Sequence, residues 1–556
     1  MANLKYIFIT GGIISGLGKG IVTASISHLL EEEGFKTAPI KADPYLNLDA
    51  GTMNPIIHGE TFVTEDGLET DQDLGHYERF INRNLNKLHY MTAGQVFMRV
   101  IEDERRLKYN GQVVEIIPHI PQEIIRRLKK LGSQTKADVV ILEIGGTSGE
   151  IQNALFVEAA RVLKLKNPND VLFIHVAYMP LPKNLGELKT KPVQQSVHFL
   201  LESGVQPDLI ITRSEMEIDD LRKEKIALFC NVKRNCIFSN PDLATVYEVP
   251  QRLKDQGIVA RIKEKLNLKT TRSKNKLLST KWSQFIGNIS SSCRSSVKIG
   301  IVGKYFKSGE YSLEDSYICV LEALKQVFYW HKIKPDITWI SSNEIEKKGE
   351  SVLEPFDGLI VPQGWGARGV EGKILTAKYA RVNKVPYLGL CYGMQLAAIE
   401  FARNVLNIAD ANSAEIDPET KNPIIHIMPN QIEYLKKRQY GGTIRLGAWP
   451  TKIAKGSLLW QAYKNHPTKD YNLPLVYERH RHRYEFNNDY REQFIAKGVI
   501  FSATSPDNKL VEAFELSNHP FFIGVQYHPE FKAKPLSPHP IFMSFLDKAL
   551  AHSKAK

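Results

Sequence analysis

Residues 5–20 read KYIFITGGIISGLGKG. A short apolar, β-rich run (KYIFIT, 5–10) meets a cluster of glycines. A helical stretch follows to the acidic Glu31–Glu33 and stops at Gly34. A strand, a glycine turn and a helix in that order open a parallel α/β unit. The same pattern recurs outward along the chain. Runs at 139–144 (VVILEI), 171–177 (VLFIHVA) and 209–212 (LIIT) read as parallel strands, apolar on both faces because helices cover both. The alternation breaks near residue 268 and restarts at 297–302 (VKIGIV), 358–361 (GLIV), 386–390 (PYLGL) and 522–526 (FIGVQ). Two α/β domains are expected, with ligands beyond the carboxyl ends of the strands, where the glycine-rich turns lie.

The chain has 556 residues, room for about three domains at ~100–200 residues each. Hydrophobic residues at 43% and charged residues at 24% exclude a mainly disordered or collagen-like chain. Lys plus Arg is 73 and Asp plus Glu is 61, a net charge of +12. Neither zinc-ligand spacing nor an RNA-binding aromatic signature accompanies that charge, so no nucleic-acid partner is expected. Five cysteines without a CxxC pair suit a reducing compartment. No signal-peptide pattern and no apolar run of ~18 residues is found, so a soluble, cytoplasmic protein without a membrane partner is expected. Segment 268–296, basic and then small and polar, reads as an interdomain linker; a solvated surface helix is the alternative.

The turn at 11–20 departs from the phosphate-loop pattern G-x-x-x-x-G-K-[ST]. Five residues separate Gly12 from Gly18, and Gly20 stands where a hydroxyl would bind Mg²⁺. Its glycines, the helix N-terminus and Lys19 still suit an anion. Without the hydroxyl, carboxylates must hold the metal. Candidates are the cluster Glu69, Asp71 and Asp73, and Glu143 at the end of a buried strand. In the second half, Gly389-Leu390-Cys391-Tyr392-Gly393 is a G-x-C-x-G nucleophile elbow. His528-Pro529-Glu530, directly after a strand, offers a base and its orienting acid.

GLCYGMQ and GVQYHPEF resemble the class I (triad) glutamine amidotransferase domain. GGIISGLGKG, KADPYLNLDAGTMNPIIHGETFVTEDGLETDQDLGHYERF, EIGGTSGEIQ (143–152), GELKTKP (186–192) and KIALFCNV (225–232) resemble the synthetase domain of the CTP synthase family. FARNV (401–405), GGTIRLG (441–447) and ERHRHRYEFNN (478–488) extend the resemblance over nearly the whole chain. It implies an α/β protein with an N-terminal P-loop-like parallel-sheet synthetase (amidoligase) domain at 1–267. The linker would span 268–296, and a C-terminal α/β class I glutamine amidotransferase domain 297–556. It also implies ATP-dependent, glutamine-hydrolysing conversion of UTP to CTP through a UTP phosphorylated at O4, with ammonia moving through an internal tunnel.

By the same resemblance Ser15, Gly16, Leu17, Gly18, Lys19, Gly20, Asp73 and Arg213 would bind ATP, with Lys41 nearby. Asp73 and Glu143 would ligate Mg²⁺, with Asp71 as a neighbour. UTP or CTP would meet Ser15, Glu150, Ile151, Gln152, Lys189, Thr190, Lys191, Gln194 and Lys225. Cys391, His528 and Glu530 would form the triad. Gly364, Tyr392, Gln395, Glu415 and Arg481 would hold glutamine, and residues 366–373 match a mobile lid. GTP as activator, CTP as feedback inhibitor, a homotetramer and filaments are implied as well.

Four positions depart from the family pattern. Gln363 replaces a glycine in the oxyanion loop (Pro-Gln-Gly-Trp-Gly, 362–366) and is expected to narrow the pocket, or to strain the turn if its φ is positive. Gln152 replaces an acid, Val193 a threonine and Gly16 a serine. Gln152, Val193 and Gln363 support a competing reading, a paralogue with altered nucleotide selectivity or feedback and inhibitor sensitivity. A further alternative, a weakly active filament-forming regulatory subunit, is opposed by the intact Lys19, Asp73, Glu143, Cys391 and His528.

Overall fold

Strand Lys5–Gly11 is the middle of a seven-stranded sheet in a computed structural model that describes residues 4–269, 272–294, 297–305, 307–308, 311–312, 314–468 and 471–556. The strand order is Tyr90–Thr92, Thr37–Asp43, Val139–Ile144, Lys5–Gly11, Val171–Tyr178, Leu209–Ser214, Ile237–Pro241. Every pairing is parallel. Both faces of the central strands are covered. Phe8, Ile40 and Leu142 enter one core, and Ile7, Ile9, Ile141 and Ile174 enter the other. Each such fully buried side chain contributes roughly 1.5–3 kcal/mol. Parallel pairing aligns the carboxyl ends, so the glycine turn, Glu143 and Arg213 end at the same edge of the sheet.

The second sheet has nine strands: Ile337–Ser341, Ile299–Gly303, Gly358–Val361, Tyr387–Leu390, Phe522–Val525, Val511–Leu516, Val499–Thr504, Arg445–Ile453 and Leu475–His482. The first five run parallel, and the last four extend the sheet antiparallel. Leu390 pairs with Val525, so the residues after both strands emerge side by side.

The chain forms two compact units: Met1–Leu48 with Asp73–Ile286, and Asp49–Gln72 with Gly287–Lys556. Residues 49–72, which the sequence reading includes in the first domain, group with the second unit. Their small hairpin Phe62–Val63/Glu69–Thr70 is held by two arginines, Arg479 buried and Arg481 half-buried. Arg479 donates to Val63 O and Glu65 Oε1, both at 3.0 Å, and Arg481 to Glu69 Oε1 at 2.8 Å. Phe62 packs edge-on against Phe531, ring centres 5.3 Å apart.

Within 268–296 the structure forms helix Lys276–Ser290; residues 270, 271, 295 and 296 lie outside the described residues. Leu278, Trp282 and Phe285 recur on one face and are buried. The Trp282 ring lies 4.2 Å from His28 and 5.3 Å from Phe80. Three apolar residues at helical spacing therefore dock a segment whose other face is basic and exposed. No described helix is long and apolar enough to cross a membrane, and all five cysteines are free.

Candidate active sites

In the first unit the glycine turn passes from strand to helix Lys19–Glu32 through Gly16 and Gly18, both in the left-handed region at φ 74° and 81°. Ser15 and Gly16 are exposed, Leu17 is buried and Gly18 half-buried. Lys19 is buried and donates to Gly146 O at 2.7 Å. Gly20 is explained by packing, because a Cβ there would lie 2.0 Å from Asp73 Oδ1. A carboxylate thus occupies the position beside the turn where a loop hydroxyl would otherwise be.

Lys41 joins the acids: it contacts Asp73 closely, Glu143 Oε1 at 3.2 Å and Asp43 Oδ1 at 3.7 Å. Burial opposes ionisation of Asp73, but Lys41 and His76 prevail and hold its pKa at about 2. Glu143 is pushed up to about 7 by burial and by Asp73, against Lys41 and Lys19. Tyr77 Oη donates to its other oxygen. Burial lowers the pKa of Lys19, while Glu143 acts to raise it. Among the described residues no group of three or more His, Cys, Asp or Glu side chains could hold a metal alone. Two adjacent carboxylates beside a phosphate cradle do fit a Mg²⁺ that completes its shell with phosphate oxygens and water. Asp71 belongs to the 49–72 stretch of the other unit.

The nucleotide candidates scatter by role. Arg213 is the penultimate residue of strand Leu209–Ser214 and pairs with Asp242 Oδ1 at 2.5 Å. Glu150 accepts from Thr147 Oγ1 at 2.5 Å, and Ile151 and Gln152 beside it are exposed. Lys189 pairs with Glu187, Thr190 is buried before helix Lys191–Glu202, and Gln194 Nε2 donates to Thr190 Oγ1 at 3.1 Å. Lys225 is exposed on helix Asp220–Phe229. Val193 is fully buried in a core with Met179, Leu188 and Ile210, so its missing hydroxyl belongs to packing.

In the second unit Cys391 sits at φ 51°, a strained position for a residue with a Cβ, between strand Tyr387–Leu390 and helix Tyr392–Asn404. The flanking glycines are required. A Cβ on Gly393 would come 1.9 Å from Val361 O, and one on Gly389 2.8 Å from the Gly393 backbone. Cys391 N donates to Val525 O at 2.7 Å, which locks the elbow to the strand that leads to His528. His528 Nδ1 lies 2.8 Å from Glu530 Oε1, and its ring stacks on Phe531. Burial alone would lower the His528 pKa, but Glu530 and the Cys391 sulfur raise it to about 10.

A cavity of about 340 Å³ adjoins the triad, with Glu415, Arg481, Gln363, Gly364 and His528 in its wall. Glu415 Oε1 accepts from Gly366 N at 2.7 Å, and burial raises its pKa despite that bond and Lys304. Tyr392 Oη donates to Gly366 O at 2.8 Å. A Cβ at Gly364 would lie 2.9 Å from Lys304 Cε. Gln395 Nε2 donates to Tyr484 O at 3.0 Å and Gln526 Oε1 at 3.2 Å, so its amide is engaged behind the nucleophile. Gln363 has no positive φ, so the expected strain is absent. Of residues 366–373, Gly369 precedes helix Val370–Asn383 and Lys373 is fully buried inside it.

Several neighbours were not singled out from sequence. Gln526 Nε2 donates to Cys391 Sγ at 3.5 Å. Lys373 Nζ donates to Pro362 O at 2.8 Å and Gln363 O at 3.3 Å, and burial holds its pKa well below the usual lysine value. Lys304 donates to Trp365 O and Gly366 O at 2.5 and 2.8 Å. Gln526 lies inside the quoted GVQYHPEF string and could have been noted there. The two lysines carry no local signal.

A thiol on a strained elbow, with a carboxylate-oriented histidine from the adjoining strand, defines a cysteine amidase. With the phosphate cradle of the first unit, the class is an amidotransferase joined to a nucleotide-dependent synthetase. The profile described as CTP synthase N-terminus matches residues 5–268, and that described as Glutamine amidotransferase class-I matches 312–548. A CTP synthase of Caldanaerobacter subterraneus subsp. tengcongensis is 47% identical over 99% of each chain. One of Sulfolobus acidocaldarius is 47% identical over 98% of this chain and all of its own. The solved Trypanosoma brucei glutaminase domain with bound acivicin is 36% identical, covers 46% of this chain and 93% of its own, and has a TM-score of 0.41. The chain belongs to the CTP synthase family.

Proposed function

We propose that the protein aminates UTP to CTP, driven by ATP and supplied with ammonia from glutamine. The observation that carries this is the pairing, in one chain of this family, of the Cys391–His528–Glu530 triad with the Lys19–Lys41–Asp73–Glu143 cradle. Cys391 thiolate attacks the glutamine carboxamide. The tetrahedral oxyanion is received by the N–H groups of Gly364 and Tyr392, a contribution of roughly 10²–10³ in rate per donor. The His528 imidazolium gives its proton to the departing nitrogen, and NH₃ leaves a thioester that water hydrolyses to glutamate. Glu415 and Arg481 hold the amino acid from the cavity wall, and Gln395 supports the site from behind the nucleophile.

In the synthetase unit the N–H groups of residues 15–20 and Lys19 hold the ATP phosphates, and Arg213 lies near the base. Asp73 and Glu143 would hold Mg²⁺, which neutralises developing phosphate charge. Lys41 keeps both acids oriented. Phosphoryl transfer needs chiefly position and charge, which this cradle supplies. The γ-phosphoryl passes to UTP O4; ammonia then adds at C4 and phosphate leaves, giving CTP, ADP and phosphate. Glu150, Ile151, Gln152, Lys189, Thr190, Lys191, Gln194 and Lys225 are assigned to UTP or CTP. GTP activation, CTP feedback, a homotetramer able to form filaments, and a cytoplasmic setting complete the proposal.

The test is chromatography of the nucleotides formed from UTP, ATP, Mg²⁺ and glutamine. CTP and glutamate in equal amounts are expected; no CTP from glutamine or from ammonia would overturn the reading.

A further inference from the structure

Gln363 precedes Gly364 in the oxyanion loop, and its side chain reaches a partner far away in sequence. Its Nε2 donates to Glu60 Oε1 at 2.5 Å. Glu60 is itself fixed. Its other carboxylate oxygen accepts from Cys319 N at 2.6 Å, near the start of helix Ile318–Trp330, and its own N donates to Asp315 O at 2.9 Å. Glu60 is buried, and both residues belong to the second unit and to the wall of the cavity that holds His528, Arg481 and Glu415.

The main chain of Gln363 is held from another direction. Its carbonyl accepts from buried Lys373 Nζ at 3.3 Å. That carbonyl and the N–H of Gly364 belong to one planar trans peptide, so they point in opposite directions. Fixing the carbonyl therefore fixes the line along which Gly364 N–H points. A glycine at 363 would lack the side-chain tether and leave this peptide freer to rotate.

One feature of Gln363 is unexplained by packing: Oε1 is buried with no hydrogen-bond partner. A buried orphan acceptor is costly, roughly 1–3 kcal/mol, unless a ligand supplies the donor. The carboxamide of glutamine presents its oxygen to the Gly364 and Tyr392 N–H groups and carries an NH₂ on the same carbon. An acceptor on the residue beside Gly364 suits that NH₂.

We propose that Gln363 is a positioning and recognition residue of the amidase, clamping the oxyanion loop to Glu60 and presenting its free carbonyl oxygen to the amide nitrogen of glutamine. The proposal rests on the amidase reading above and adds a residue to it.

Three variants of the full chain test it. Gln363→Met keeps length and removes both polar atoms. Gln363→Glu keeps an acceptor but sets a carboxylate against Glu60. The double variant Glu60→Gln/Gln363→Glu exchanges donor and acceptor. In Gln363→Met, kcat/KM for glutamine should fall about tenfold, the scale of one lost hydrogen bond near a reacting group. Alkylation of Cys391 by iodoacetamide and ammonia-driven CTP synthesis should be unchanged, since neither uses the loop. Gln363→Glu should fall further, and the double variant should recover to within about threefold of the unmodified enzyme. A Gln363→Met enzyme within about twofold of the parent, or a double variant no better than Gln363→Glu, overturns the proposal. So does a parallel loss of alkylation or ammonia-driven synthesis in Gln363→Met, which would make the role structural. An unmodified enzyme that releases no glutamate sinks the amidase reading instead, a result that no variant can mimic.

Discussion

His528 retains a proton at neutral pH because Glu530 at 2.8 Å and the Cys391 sulfur outweigh its burial and raise its pKa to about 10. The sign follows directly. The imidazolium is present through neutral pH and is lost as pH rises through about 10, so glutaminase activity should persist into alkaline solution and fall near that value. Glu530→Gln removes the larger of the two raising influences and leaves burial, which acts downward. Its alkaline limb should move toward neutral pH, and its rate should drop by about 10²–10⁴. The pH profile of kcat/KM for glutamine checks both, and an unmoved limb would remove Glu530 from its orienting role. These residues were legible in sequence because Cys391 lies in a five-residue turn and His528 and Glu530 in one tripeptide. Lys373, Lys304 and Glu60 were not, because only tertiary placement brings them to the loop at 362–366. Val193 shows the reverse failure. Read as support for altered nucleotide selectivity, it is a core residue, since a threonine-to-valine difference looks the same in sequence whichever way the side chain points.

At the scale of elements, both active turns depend on glycines that neighbours would not let grow. At Gly20 a Cβ would lie 2.0 Å from Asp73 Oδ1, so its absence makes room for that carboxylate. Gly20→Ser would restore the phosphate-loop hydroxyl to the sequence and at the same time displace Asp73 from Lys41. Synthesis should fall at least about 10²-fold with either nitrogen source, because a 1 Å misplacement of a catalytic group is enough for such a loss. Glutaminase should remain, and coupled assays with glutamine and with ammonium chloride separate the two; full synthesis would show that Asp73 is dispensable. A second prediction concerns helix Lys276–Ser290. Trp282→Ala empties a site against His28, Phe80 and Tyr247 and should destabilise the first unit by about 3–5 kcal/mol, read by urea unfolding. From sequence a helix there is only a solvated alternative to a linker, because the basic and polar exposed face masks the three apolar residues that dock it. The four antiparallel strands of the second sheet are concealed in the sequence. Arg445–Ile453, with alternating burial and internal Gly447 and Pro450, lacks the continuous apolar signal that marked the parallel strands.

At the scale of the whole molecule, the proposed amidase triad and the proposed phosphate cradle lie in two different compact units. That arrangement makes the nitrogen atom the discriminating reporter. In Cys391→Ala the nucleophile is gone, but no group of the Lys19–Lys41–Asp73–Glu143 cradle has changed. Synthesis from glutamine should vanish and synthesis from ammonia persist. In Lys19→Ala the phosphate cradle loses a buried cation while the triad is untouched. Synthesis should fail from both donors, with basal glutamate release retained. Glutamine labelled with ¹⁵N at the amide adds the decisive arm. In the unmodified enzyme the label should appear at the exocyclic nitrogen of the cytosine ring, and unlabelled ammonium in the medium should dilute it only partly. In Cys391→Ala the same mixture should give CTP carrying only the unlabelled nitrogen. Loss of both activities in either variant would mean that the two centres are not chemically separate. Label absent from the ring in the unmodified enzyme would mean that the amidase feeds some other acceptor.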